Sequence, residues 1–286
     1  MANTTIERAS QSAELITRQS KTNFYYSFLF LPKLKRQAIE TVYAFCRLVD
    51  DIVDEDIKVD NAQTELELWR IEIKQCFTGN PTTSLGKSLK EVITHFPIKQ
   101  EYFQDLITGM EMDLNKCRYS SFEELEKYCY HVAGVIGLMC IEIFGYKEAS
   151  TKEYAINLGK ALQLVNIARD LKEDATRDRV YLPQDEMLKF GYSEQELLGS
   201  TYNDKFIALM LNHCQRAQSF FQKAQNSLSP NDRGGMFAAE IMGAIYYRIL
   251  EKITAESYNV FDKRIRLSSL EKAFVALQAW AKCRYF

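Results

Sequence analysis

The sequence predicts an all-α protein, on three observations. Apolar residues recur at helical spacing through most of the 286 residues, and strand-like alternation bounded by tight hairpin dipeptides is missing. Four Ser-x-x-Glu boxes, Ser121/Glu124, Ser150/Glu153, Ser193/Glu196 and Ser268/Glu271, mark helix starts. In such a box the Ser oxygen accepts a free backbone N–H while the Glu reaches back to the cap. The five prolines, at 32, 81, 97, 183 and 230, fall between the periodic segments, as residues without an N–H should.

In chain order, a first amphipathic segment is expected at 9–20. A long helix over 33–54 follows Pro32 and contains ETVYAFCRLV, which reads as buried. Helices at 61–77, 84–95 and 99–114 are separated by Pro81 and Pro97. The helix over 121–144 opens at a capping box and holds the longest apolar run, Val132 to Tyr146, broken by Glu142. That run is shorter than the roughly 20 residues that span a bilayer, so it reads as a core helix or a cavity wall. Helices over 151–175, 204–227, 234–256 and 268–284 complete the pattern. With no repeat, low-complexity tract or Gly/Ser linker, one domain over 1–286 is the economical organisation.

Composition narrows the function. A net charge of −2 offers no basic surplus for nucleic acid. The three His are scattered and the seven Cys form no CxxC or Cys/His cluster, which argues against zinc and redox pairs and for reduced thiols in the cytoplasm. The first 21 residues carry no long apolar run of the kind that forms a secretory leader.

Two segments carry concentrated acid. In CRLVDDIVDED, five acids occupy the seven positions from Asp50 to Asp56. On a helix, Tyr43, Arg47, Asp50 and Asp54 stack within an arc of about 60°, with Asp51 at its edge. The second segment runs from Gly159 to Pro183. There Gln163, Asn166, Asp170 and Asp174 follow at intervals of three, four and four, with Glu173 alongside. A Gln and an Asn inside an apolar helix cost stability unless partnered, which favours a site wall over plain surface. Arg169 lies off this face on an ideal helix. Crowded carboxylates raise one another's pKa unless cations neutralise them. Two such faces opposed across a bundle suit several Mg²⁺ ions, with a diphosphate supplying the missing oxygens. Arg47, Arg118, Arg264 and Arg266 are the candidate direct anion contacts. A single acidic cluster is more often a solvated helix end; the pairing of two raises the case. An EF-hand is disfavoured, because DDIVDEDIKVDN lacks the loop Gly and the final Glu.

With these residues in view, the sequence resembles the squalene/phytoene synthase family. The resemblance rests on Asp50-Asp51-Ile-Val-Asp54 within YAFCRLVDD, on Asp170-Leu-Lys-Glu173-Asp174 within QLVNIARDLKED followed by RVYLP, and on YCYHVAGVIG at 128–137. It runs from about Phe24 to about Arg266. FYYSFLFLP and GMEMDLNKCRY are most similar to the bacterial hopanoid-pathway presqualene diphosphate synthases. The resemblance implies an α-helical isoprenoid synthase bundle around a central apolar cavity. It implies Mg²⁺-dependent head-to-head condensation of two farnesyl diphosphates to presqualene diphosphate, with no NADPH needed for that step. It also implies that Asp50, Asp54, Asp170 and Asp174, with Asn166, hold the metal. Gln163, Arg169 and Arg47 match residues near the diphosphates, and Tyr43, Tyr247 and Arg264 match further contacts. Ser20 and Asn23 depart from relatives that carry His and Ser. Ala133, Gly134 and Gly137, with Phe24, Phe28 and Leu138, are candidate prenyl-chain contacts; the small residues serve helix packing equally well. Squalene, dehydrosqualene and phytoene are the alternative products, and a non-catalytic assembly factor is the alternative class. Greasy products imply peripheral contact with the inner membrane face or with a downstream pathway enzyme.

Overall fold

The computed structural model describes residue 28 and residues 31–54 and 59–285. The helix expected at 9–20, and Phe24, Ser20 and Asn23, lie outside them. Among the described residues there are helices and no strand; Arg118 and Val180 make one isolated bridge. The helices are α1 (Lys33–Asp54), α2 (Val59–Thr78), α3 (Ser84–His95), α4 (Gln100–Asn115), α5 (Phe122–Phe144) and α6 (Ser150–Thr176). The short α7 (Gln184–Lys189) and α8 (Glu194–Leu198) follow. After them come α9 (Asp204–Ser227), the single turn α10 (Pro230–Arg233), α11 (Phe237–Ala255) and α12 (Ser269–Tyr285). The two short helices had no counterpart among the expected elements, although the Ser193 box flagged the second. The expected start at 234 is delayed to Phe237, because Pro230 opens a separate turn capped by Ser229.

Two of the four boxes close as expected. Ser193 and Glu196 bond reciprocally, and so do Ser268 and Glu271. At Ser121 the side chain makes no capping bond, and Glu124 accepts instead from the Ser120 N–H at 2.9 Å. Ser150 is already the first residue of α6. The chain leading into α6 is held from across the fold. The buried Asp232 carboxylate accepts from Lys147 N–H (2.8 Å), Glu148 N–H (3.0 Å) and the Thr151 hydroxyl (2.6 Å). A remote carboxylate thus anchors the entry to the helix, while Glu148 O and Ala149 O accept the first-turn N–H groups of Thr151 and Lys152.

The core is organised around α6. It packs along α9 and against the middle and end of α5; α1 and α4 flank α5 on the other side, and α11 covers α6. The longest apolar run falls in α5, the one described stretch long and apolar enough to cross a membrane by length and composition; 61% of it is buried in the bundle. Within α5, Tyr130–Gly134 form a π turn, with the Val135 N–H reaching back to Tyr130 O. Such turns shift the helix register and recur at functional sites. Directly after it, α5 and α6 touch backbone to backbone. A Cβ on Gly137 would stand 2.5 Å from Ala155 O, and one on Gly159 2.4 Å from Ala133 O. Both glycines are therefore required by the helix crossing. Because Ala133, Gly137 and Gly159 also line the cavity, packing and cavity shape are set by the same contact.

Candidate active site

A cavity of about 750 Å³ opens between α1, α4, α5, α6 and α11. Its depth is apolar, with Phe28, Val132, Ile136, Leu158 and Met242 among the lining side chains. Its mouth is ionic. The α1 face predicted from spacing is present, since Tyr43, Arg47, Asp50 and Asp54 all line the cavity. The α6 face is present too, with Gln163, Asn166, Asp170, Glu173 and Asp174. Arg169 joins them despite its position one residue off the face, because its long side chain folds back to grip Asp170 at 2.8 and 2.5 Å.

Arginines are threaded between the carboxylates. Arg47 holds Asp50 at 2.8 Å and Asp51 at 2.6 Å. Arg264 holds Asp170 at 2.8 Å and Glu173 at 2.9 Å. Arg177 and Arg179 both reach Asp54, at 2.9 and 2.8 Å, and Arg179 also donates to Val53 O. These contacts hold the Asp54 carboxyl below its ordinary range against the cost of burial. Asp50 and Asp174 go the other way. Burial, and then repulsion from Asp54 on Asp50 and from Asp170 on Asp174, push each up to about 7.

The donor set fits a hard cation. Asn166 Oδ1 is buried without a hydrogen-bond partner, and two carboxyls carry raised pKa values that a nearby cation would relieve. Among the described residues no three His, Cys, Asp or Glu side chains converge tightly enough to hold an ion unaided. Mg²⁺ commonly takes one or two carboxylates and completes its shell with water and phosphate oxygens, so the spread of the acids is compatible with an ion bound together with an anion.

Four placements correct the sequence reading. Tyr247 points outward, 41% exposed, against Phe221. One helical step of 100° puts its neighbour Tyr246 in the cavity wall, where it contacts Arg169. Arg118 does not line the cavity; it grips Glu194 and Asp178. Leu138 is buried but outside the lining, as is Gly134. Arg266 does line the mouth, as expected, and so do Ala133, Gly137 and Phe28.

Sequence reasoning missed Asp113, Arg177, Arg179, Tyr181 and Tyr246. The buried Asp113 carboxylate accepts from Tyr128 and Tyr181 hydroxyls, each at 2.8 Å, and burial pushes it up to about 6. Its signal was an acid on the same face as Leu106 and Met110. The arginines stood in plain view in RDRVYLP, just past the second acidic motif.

Comparison with known proteins bears on the family and the fold. The sequence profile described as Squalene/phytoene synthase matches residues 17–271. A 15-cis-phytoene synthase of Synechocystis is 33% identical over 98% of this chain and 86% of its own. The crystal structure of a dehydrosqualene synthase superposes with a TM-score of 0.85 at 28% identity, covering 98% of both chains. Squalene synthase HpnC from Alicyclobacillus acidocaldarius superposes with a TM-score of 0.79 at 25% identity, covering 90% of this chain and all of its own.

Proposed function

This chain belongs to the squalene/phytoene synthase family, whose members are prenyltransferases that join two prenyl diphosphates head to head, and on that premise we propose that it converts two farnesyl diphosphates to presqualene diphosphate. The observation that carries the reading is the pairing of two arginine-laced carboxylate faces at the mouth of a deep apolar cavity. The mouth suits diphosphates and the depth suits prenyl chains. The C15 substrate is supported by the squalene and dehydrosqualene names of the structural neighbours.

In this mechanism Arg47, Arg169, Arg177, Arg179 and Arg264 bind diphosphate oxygens, exchanging their present carboxylate partners for the substrate. Asp50, Asp54, Asp170 and Asp174, with Asn166, are the residues that would hold Mg²⁺, which when bound supplies charge stabilisation to the departing diphosphate. The C1–O bond of one farnesyl diphosphate breaks, and its electron pair leaves with the diphosphate. C1 then bonds to C2 and C3 of the second chain and loses one proton, closing the cyclopropane. The apolar wall from Val132 to Ile141 keeps water from the cation. Tyr43, Tyr128 and Tyr247 are the candidate tyrosine bases, and of these Tyr247 faces outward. Tyr128 donates to Asp113, and burial holds its pKa well above the ordinary value. The released diphosphate, with Tyr43 beside it, is the acceptor this geometry favours. No nicotinamide enters this step.

A second reading has a specific observation behind it. The Synechocystis relative is a phytoene synthase, and phytoene needs C20 substrates. Purified protein with Mg²⁺, no NADPH, and farnesyl or geranylgeranyl diphosphate in parallel separates the two by mass spectrometry. Presqualene diphosphate from the C15 substrate supports the main reading. Dehydrosqualene, or exclusive use of the C20 substrate, replaces it. Consumption of neither would turn the assignment to a non-catalytic assembly factor, which the intact acidic motifs argue against.

A further inference from the structure

We propose that Arg118, which lies outside the cavity lining, is a positioning residue that aims Arg177 and Arg179 across the mouth to receive a diphosphate. Both of those arginines hold the same oxygen, Asp54 Oδ1, at 2.9 and 2.8 Å. They stand two residues apart just past α6, where a continuing helix would send them about 200° apart around its axis. Asp178, between them, brings them together. Its φ of 57° is left-handed, and the turn lets the N–H groups of Arg177 and Arg179 both donate to Asp174 O at 3.0 Å. Asp tolerates that region better than most residues, but still adopts it at a cost and keeps it only where the surroundings hold it.

Arg118 supplies that hold. Its Nη1 donates to the Asp178 carbonyl and to Cys117 O, the latter at 2.9 Å, and its Nη2 donates to Asp178 Oδ1 at 2.6 Å. On the other side Nε and Nη2 meet Glu194 Oε1 of α8 at 2.8 and 2.7 Å. Every nitrogen of the guanidinium is therefore engaged. An exposed Arg–Asp pair alone contributes little, and the Asp178 side chain is 76% exposed. The contact to the Asp178 carbonyl decides the matter, because it fixes the turn itself and uses the planar fork that a Lys lacks. The adjoining chain is paired too: Val180 N–H donates to Cys117 O and Gln184 N–H to Tyr119 O, each at 2.9 Å, and Asp185 N–H donates to Ser120 O at 3.2 Å.

Arg118 thus acts on the mouth through two other side chains. Arg179 is the deeper of them, 14% exposed and tied also to Val53 O. Arg177 is 51% exposed and has Asp54 as its ion-pair partner. Loosening the turn therefore costs Arg177 its aim first. The role deepens the proposed function and rests on it in one respect, that the mouth receives a diphosphate; the hold on the turn does not.

The test is Arg118→Met in the full-length protein, which keeps an unbranched stem and removes the donors. Amide hydrogen exchange over residues 177–183, read by mass spectrometry, should quicken about tenfold or more, with α9 and α11 unchanged. Calorimetric titration with inorganic diphosphate and Mg²⁺, well below the melting temperature, should show an affinity about tenfold weaker than wild type. A residue that only stabilised the fold would lower the melting temperature and leave that affinity alone, so an unchanged affinity overturns the proposal, whether or not exchange quickens. If Arg118→Met does not fold, Glu194→Gln carries the test: it removes the charge that anchors Arg118 from behind and should shift both readouts the same way, severalfold. No shift in either overturns the proposal. A wild type that binds Mg²⁺ and diphosphate but condenses no prenyl diphosphate overturns the proposed reaction alone; one that binds no diphosphate overturns both.

Discussion

Replacing Asp50 with Asn should stabilise the metal-free protein while abolishing its turnover. Burial and the neighbouring Asp54 raise the Asp50 carboxyl from 3.8 to about 7, net of the attraction from Arg47. An acid with a raised folded-state pKa favours folding while protonated and loses that contribution as pH rises from 3.8 through about 7. Three units correspond to about 4 kcal/mol at full strength. The Asp50 side chain keeps 42% of its surface accessible to water at the cavity mouth, and screening of this kind brings the figure down to about 2 kcal/mol. In the presence of a chelator at pH 8, Asp50→Asn should therefore melt a few degrees above the wild type. Near pH 4 the difference should close, because both side chains are then neutral. Adding Mg²⁺ with inorganic diphosphate should raise the melting temperature of the wild type and leave the variant where it was. An Asp50→Asn protein that melts below the wild type at pH 8, or that forms product at the normal rate, would refute the reasoning.

Three further outcomes are expected. In Gly159→Ala the new methyl meets Ala133 O at 2.4 Å; the helix-propensity gain of about 1 kcal/mol is outweighed by overpacking of up to about 3 kcal/mol, so the urea midpoint should fall, and an unchanged midpoint means the α5–α6 crossing yields easily. Tyr246→Phe, which removes a contact to Arg169, should raise KM for the prenyl diphosphate severalfold, whereas Tyr247→Phe should be silent; the opposite pattern would restore Tyr247 to the site. His213 is buried, with Nε2–H donating to Leu164 O at 2.8 Å, and burial lowers its pKa from 6.5 to about 4. The unfolded chain therefore binds a proton that the folded one refuses, and acidification from pH 6.5 to 4 should cost up to about 3 kcal/mol. His213→Gln, which keeps a donor for Leu164 O, should flatten that pH profile, and an equally steep profile would place the acid sensitivity elsewhere.

Much of this protein is written in local sequence. The long helices from 33 to 284 follow from apolar period and proline punctuation. The two acidic faces follow from spacing alone, because positions three and four apart on a helix share a side whatever the helix packs against. The family was legible for the same reason, since its motifs are short runs on single helices. The tertiary structure decided the rest. Whether Tyr246 or Tyr247 meets the cavity depends on how α11 is rotated against its neighbours. Ser150 falls inside α6 rather than at its cap, and Asp232, 81 residues from Thr151, anchors the helix start instead. Asp113, Arg177 and Arg179 became site residues only when α4 and the loop after α6 were brought beside α1. Even Gly137 and Gly159 carry no meaning in isolation; each is required by a carbonyl on the other helix. Spacing along one helix sets which side chains share a face, but charge pairing, burial and pKa depend on distances between helices, and those are fixed only by packing.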